Sequence, residues 1–175
     1  KNTNYNLFKK KILLVAQPFM IHDFQMCCFP QPIQFNWHLK LIYNLKKFGY
    51  EVTYKPHPFS DKNIVKKLCK ISAIKNKNKL LEEIYHQYDY LLFDCRSTSA
   101  WGFALSTNIP IIFIDFMKFN YFHKNNLKLK KRVSVIKGKI DKYNNPIINF
   151  NKLKYVIHYS EKLKKDKTFF NSFIN

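Results

Sequence analysis

Short apolar runs and longer stretches of helical periodicity take turns along this chain. "KKKILLVAQPF" has a basic lead-in, an apolar run from Ile12 to Ala16 and a polar stop at Gln17-Pro18. That is the pattern of a strand buried on both faces. From Ile33 to Phe48, the apolar residues Phe35, Leu39, Ile42 and Leu45 recur at helical spacing, and Gly49 supplies a stop. "YEVTY" predicts a second strand ended by Pro56, and Ser60 is expected to cap a helix running to about Lys70. "ISAI" predicts a short third strand, Leu80 to Tyr88 a helix, and "YDYLLFD" a strand ending at Asp94. A helix over residues 97–107 carries Trp101, Ala104 and Leu105 on one face before Pro110 breaks it. "IIFID" and "RVSVIKG" then predict two more strands. Asn151 is expected to cap a closing helix with Leu153, Val156, Ile157 and Leu163 inward.

Strands alternating with helices in this way predict a Rossmann-like α/β fold, a parallel sheet flanked by helices on both faces. Residues 1–175 are expected to form a single such domain, part of a longer two-domain chain, since the first residue is Lys1. Three glycines, Gly49, Gly102 and Gly138, form neither a GxGxxG fingerprint nor a P-loop, which argues against the dinucleotide version. No apolar run reaches the ~20 residues a membrane-spanning helix needs. A hydrophobic fraction of 46% excludes a disordered chain.

Charge changes the picture only in part. The formal net charge is +20, which draws attention to nucleic acid or an anionic membrane surface. Yet the residues in excess are Lys, Asn, Ile, Phe and Tyr, the set AT-rich codons favour, and Arg96 and Arg132 are the only arginines. Readers of bases and duplex phosphates lean on arginine forks, so nucleic acid is the weaker partner reading. Cys27, Cys28, Cys69 and Cys95 show no CxxC and no zinc-type spacing, and reduced structural thiols in a cytoplasmic protein are expected. No histidine is spaced for metal, and His22, His38, His86, His123 and His158 are expected at solvated or core-edge positions.

In an open α/β sheet the ligand crevice lies beyond the carboxyl ends of the strands. Gln17, the Lys55-Pro56-His57-Pro58 run, Asp94 with Ser97-Thr98-Ser99, and Asp115 all fall at such ends. Hydroxyl residues at a helix start leave its free amides open to an anion, so Ser97, Thr98 and Ser99 are candidate phosphate ligands. Read alone, the same residues are an ordinary N-cap. Prolines on both sides of His57 restrict the backbone and can hold the imidazole in one direction, as a donor to a diphosphate must be held. The plain alternative is a surface turn with an incidental histidine. Asp94 and Asp115 fit capping and turn roles, with Gln17 and Asp94 on the cleft rim.

"KPHP" after the second strand, followed by "YDYLLFDCRSTSAWGFALSTNIPIIFID", resembles the donor-binding half of GT-B glycosyltransferases. The bacterial surface-carbohydrate enzymes and the CDP-glycerol glycerophosphotransferases are the nearest group. The matching positions are Lys55, Pro56, His57 and Pro58, then Asp94, Thr98 and Ser99, and finally Asn108, Ile109 and Pro110, within residues 11–163. The resemblance implies a C-terminal nucleotide-binding domain in which His57 and the Thr98/Ser99 helix start hold the donor's phosphates, with His57 as the catalytic candidate. Gln17 would border a cleft facing a second, N-terminal half, which would supply the general base of an inverting enzyme. Two positions depart from the pattern: Phe103 stands where the family has a ribose-binding glutamate, and Asn108 where it has glycine.

The function expected on this reading is transfer of a sugar or polyol phosphate from a nucleotide-activated donor to a surface polysaccharide. The donor, a nucleotide-sugar or CDP-polyol, enters as substrate, and neither cofactor nor metal is called for. The acceptor would be a polysaccharide or lipid-linked chain, the location cytoplasmic with peripheral contact to the inner membrane face. Two rivals stand beside it. One is a non-enzymatic basic α/β module on nucleic acid or anionic lipid; the other is an epimerase using the same donor site.

Overall fold

The structure, a computed structural model, describes residues 9–19, 29–95, 99–116 and 129–163. Six strands form one all-parallel sheet: β1 (Lys11–Val15), β2 (Glu51–Lys55), β3 (Lys75–Asn76), β4 (Tyr90–Phe93), β5 (Ile111–Asp115) and β6 (Val133–Lys137). Their order across the sheet is β3-β2-β1-β4-β5-β6. The chain therefore builds outward from β1 in one direction, returns, and builds outward from β4 in the other. The direction reverses between β1 and β4, the switch point at which a crevice opens in folds of this kind.

Helices cover both faces because the strands are apolar on both. Ile12, Leu14, Val52, Tyr54, Leu92 and Ile114 point to one side, under α1 (Gln31–Lys47), α2 (Lys62–Ser72) and α5 (Phe150–Ser160). Leu13, Val15, Leu91, Phe93, Ile111 and Phe113 point to the other, under α3 (Leu81–Ile84), its following 3-10 turn (Tyr85–Gln87) and α4 (Ser99–Ser106). This is the period-two alternation of a strand with no solvent face. A small antiparallel hairpin, β7 (Lys139–Ile140) with β8 (Pro146–Ile147), follows β6 and leads into α5.

The expected fold class is what the structure has, and the four main apolar runs are strands. Local details differ. The cap of α2 is Asp61, whose Oδ1 accepts from the Asn63 and Ile64 amides at 2.7 and 3.1 Å. Ser60 is used elsewhere: its hydroxyl accepts the amide of Phe19 at 3.0 Å. "ISAI" is no strand. Ile71 and Ser72 finish α2, Ala73 turns left-handed at φ 49°, and the Ile74 amide closes on Cys69 O. That is the usual way an αL residue ends a helix. The closing helix begins one residue after Asn149, whose side chain accepts from the Lys152 amide at 3.0 Å, so Asn149 and not Asn151 is its cap.

Arg132, one of only two arginines, is wholly buried. Its guanidinium donates to the carbonyls of Ala104, Leu105, Thr107 and Ile109 at 2.7–3.3 Å, gathering the C-terminal end of α4. A planar fork serves several carbonyls at once, which an ammonium on a flexible stem does less well.

Candidate functional site

The carboxyl edge of the sheet is a straight row. Lys55, Val15, Phe93 and Phe113 are register partners across β2, β1, β4 and β5. Val15, Phe93 and Phe113 face the α3/α4 side, and strand alternation sends Lys55 the same way. The ends of β2 and β4 are two strand spacings apart, roughly 10 Å. Trp101 of α4 packs edge-on against Phe93 (ring centroids 5.1 Å) and beside Phe113 (5.2 Å), which seats the start of α4 over this same row. Lys55 and the N-terminus of α4 thus lie at one end of one face, and the His57 turn follows β2 at the same carboxyl end.

Hydrogen bonds stitch the three loops of this edge together. The Phe19 amide donates to Ser60 Oγ at 3.0 Å, and the Asp61 amide to Phe19 O at 3.1 Å, joining the loop after β1 to the one after β2. The Gln17 amide donates to Asp94 Oδ1 at 3.3 Å, joining it to the loop after β4. Gln34 Nε2 donates to Gln17 O and Pro18 O at 3.1 and 3.2 Å, so the first loop is also held from α1.

Within this frame Lys55 is 8% exposed. Burial lowers its pKa from the ordinary lysine value, opposed by the charge of Glu82 on α3. His57 is half-buried, and the Phe59 amide donates to its Nδ1 at 3.3 Å. That bond leaves the neutral ring's proton on Nε2, a donor available to an anion. Burial lowers the His57 pKa below 6.5, and Lys55 lowers it further. Ser99 is exposed at the first residue of α4. Ser97 and Thr98 lie outside the described residues.

Two expectations for the rim are corrected. Gln17 and Asp94 do stand at strand ends, but they are 0% and 3% exposed and lie beneath the edge rather than on it. Among the described residues Asp94 neither caps a helix nor closes a turn. Its Oδ2 accepts from His38 Nε2 at 2.7 Å and from Trp37 Nε1 at 3.3 Å. His38 is correspondingly not at a core edge: it is fully buried. Its Nδ1 lies 3.0 Å from the Tyr54 hydroxyl, whose pKa burial drives well above the ordinary value, so the phenol keeps its proton and donates. Tyr54, His38 and Asp94 form a dry relay that ends beneath this edge, where Asp94 holds the Gln17 amide. The signal was present in α1, where Gln34, His38, Leu41, Ile42 and Leu45 share the buried spacing.

Asp115 pairs sideways with Lys137 of β6. Phe103, half-buried, packs edge-on against Tyr85 with centroids 5.4 Å apart, a packing role on the α3 side of α4. Among the described residues no group of three or more His, Cys, Asp or Glu is placed to hold a metal ion. Nor is any described helix long and apolar enough to cross a membrane.

These features define a Rossmann-like α/β domain with a polar, partly cationic carboxyl edge. No protein-family model matches the chain. No curated protein matches it either. Among solved structures it is similar to a V8 variant of an imine reductase from Myxococcus stipitatus in complex with NAD+, at 9% identity and a TM-score of 0.43. The match covers 95% of this chain and 59% of that one, so the chain spans about three-fifths of the reductase's length.

Proposed function

We propose that this chain supplies the donor-phosphate site of an enzyme that transfers a sugar or polyol phosphate from a nucleotide-activated donor to a polysaccharide acceptor. One observation carries the reading: Lys55, the His57 turn and the start of α4 stand at one end of the sheet, at loops bonded to one another. The KPHP run, which ends β2, and Ser99, which begins α4, belong to the stretches that resemble the donor half of GT-B enzymes.

Each group has a part in the chemistry. Departure of a nucleoside diphosphate in sugar transfer, or of CMP in transfer of a polyol phosphate from a CDP-polyol, builds negative charge on the departing phosphate as the bond to the transferred group breaks. The Nε2 proton of His57 and the free amides of the first turn of α4 are donors that can meet that charge without reorganising. Lys55 adds a cationic head on a stem held by burial. The residues that bind the acceptor and remove its proton would belong to a second half.

Calorimetric titration with CDP and UDP tests the reading on wild type, His57→Ala and Ser99→Glu. The Ser99→Glu carboxylate favours the helix itself but repels a phosphate at its N-terminus. Binding to wild type with at least a ten-fold loss in both variants is the expected result. No binding to wild type, or unchanged binding in both variants, removes the donor-site assignment.

A further inference from the structure

The seam between α1 and α2 carries a second feature, unrelated to the sheet edge. Two adjoining depressions run along it, about 670 Å³ near the helix C-termini and about 230 Å³ nearer their start. Tyr43 and Ile71 stand up on either side, 67% and 57% exposed. On α1, Tyr43 and Lys47 are four residues apart; on α2, Lys67, Lys70 and Ile71 fall on one face by the same spacing. Two stripes, each an apolar side chain beside lysine, therefore flank a groove floored by Leu39 and Ile42.

Charge on this side of the molecule is mostly positive, with Asp61 at the cap of α2 and Glu161 after α5 at the helix ends. The helical segments of α1, α2 and α5 contain no acidic residue, whereas α3 on the opposite face carries Glu82 and Glu83. Codon bias accounts for an abundance of lysine but not for the absence of acids from the bodies of these three helices. The cations here are lysines, with no guanidinium on α1, α2 or α5. Lysine ammonium groups respond to a diffuse negative surface, while nucleic acid readers favour arginine forks. Tyrosine and isoleucine among lysines suit the boundary between headgroups and acyl chains.

We infer that the α1/α2 face, through Tyr43, Lys47, Lys67, Lys70 and Ile71, docks on an anionic phospholipid bilayer. The inference stands apart from the donor site and is read without nucleotide, so either can fail alone. It would place the chain beside a lipid-linked acceptor.

Sedimentation with vesicles of neutral phosphatidylcholine, and of the same lipid with phosphatidylglycerol, tests it on the full chain. Wild type should bind the anionic vesicles and not the neutral ones. Lys47→Gln/Lys67→Gln/Lys70→Gln should lower partitioning about five-fold per lysine, roughly a hundred-fold in all. A triple of equal charge change elsewhere, Lys79→Gln/Lys130→Gln/Lys131→Gln, should change it far less. Tyr43→Ser/Ile71→Ser should bind at low salt and release earlier as salt rises, because the apolar contribution is gone. Equal loss in both lysine triples overturns the assignment, since total charge alone would then account for binding. So does retention on RNA or duplex DNA in preference to vesicles, or self-association of the wild type that Tyr43→Ser/Ile71→Ser abolishes.

Discussion

Replacing Asp94 by alanine takes away the acceptor at the centre of the buried relay. Three donors lose their partner: His38 Nε2 at 2.7 Å, Trp37 Nε1 at 3.3 Å and the Gln17 amide at 3.3 Å. Both side chains of the His38–Asp94 pair are fully shielded from water, so no solvent replaces what is removed. Leaving a buried donor without its acceptor costs about 1–3 kcal/mol, which over these three donors, two of them weakly bonded, comes to about 3–5 kcal/mol. The two 3.3 Å bonds are long, so the short His38 contact carries most of it. Against a total stability of about 5–15 kcal/mol this is a large fraction. At about 2–4 °C per kcal/mol for a chain of this size, Tm should fall by roughly 6–20 °C. Asp94→Asn keeps the volume and one acceptor but turns an amide NH2 toward donors, so its loss should be smaller. His57→Ala, at a half-buried position, should stay within about 0.5 kcal/mol. Urea unfolding and calorimetry on the three variants measure this directly. A loss below about 1 kcal/mol in Asp94→Ala, or one no larger than in His57→Ala, refutes the relay.

Further outcomes follow from the site and its surroundings. The folded pKa of His57 is depressed, so its contribution to stability is present above 6.5 and lost as pH falls through the window below it. NMR titration should give a midpoint under 6.5 that rises in Lys55→Gln without fully returning, because burial, the larger cause, remains; a midpoint at or above 6.5 in wild type contradicts this. Glu82→Gln removes the carboxylate that competes for Lys55, and should tighten diphosphate binding a few-fold by calorimetry; weaker binding would count against Lys55 as an anion ligand. Gly138→Ala would drive a Cβ into the Phe116 ring, itself packed edge-on against Phe29 and Trp37, and should cost about 1–3 kcal/mol in urea unfolding; an unchanged midpoint would show that the ring can yield.

What could be read from residues alone was whatever rests on local pattern. The runs "ILLV", "YLLF" and "IIFI" are strands because a residue apolar on both sides of an extended chain has to be covered on both sides. The order of elements then implies the sheet class. Misreadings arose where a distant group decides a local choice. Ser60 and Asp61 are adjacent and equally able to cap; Phe19, some forty residues earlier, claims the serine and leaves the aspartate to α2. "ISAI" has too few residues for its period to separate strand from helix end, and a left-handed Ala73 settled it. His38 and Asp94 are 56 positions apart, and neither announces the other. Arg132 offered a faint cue, one of two arginines in a chain whose other basic side chains of fixed charge are lysines, which is what a site needing a rigid fork would retain.

The most direct test of the central claim is one NMR titration with CDP, following the imidazole of His57 and the backbone amide of Ser99 together. If a single diphosphate sits between them, both signals move along curves with one shared Kd, and inorganic pyrophosphate reproduces the pattern. If only one signal moves, or the two saturate at different concentrations, the edge is not one anion site and the transferase reading goes with it.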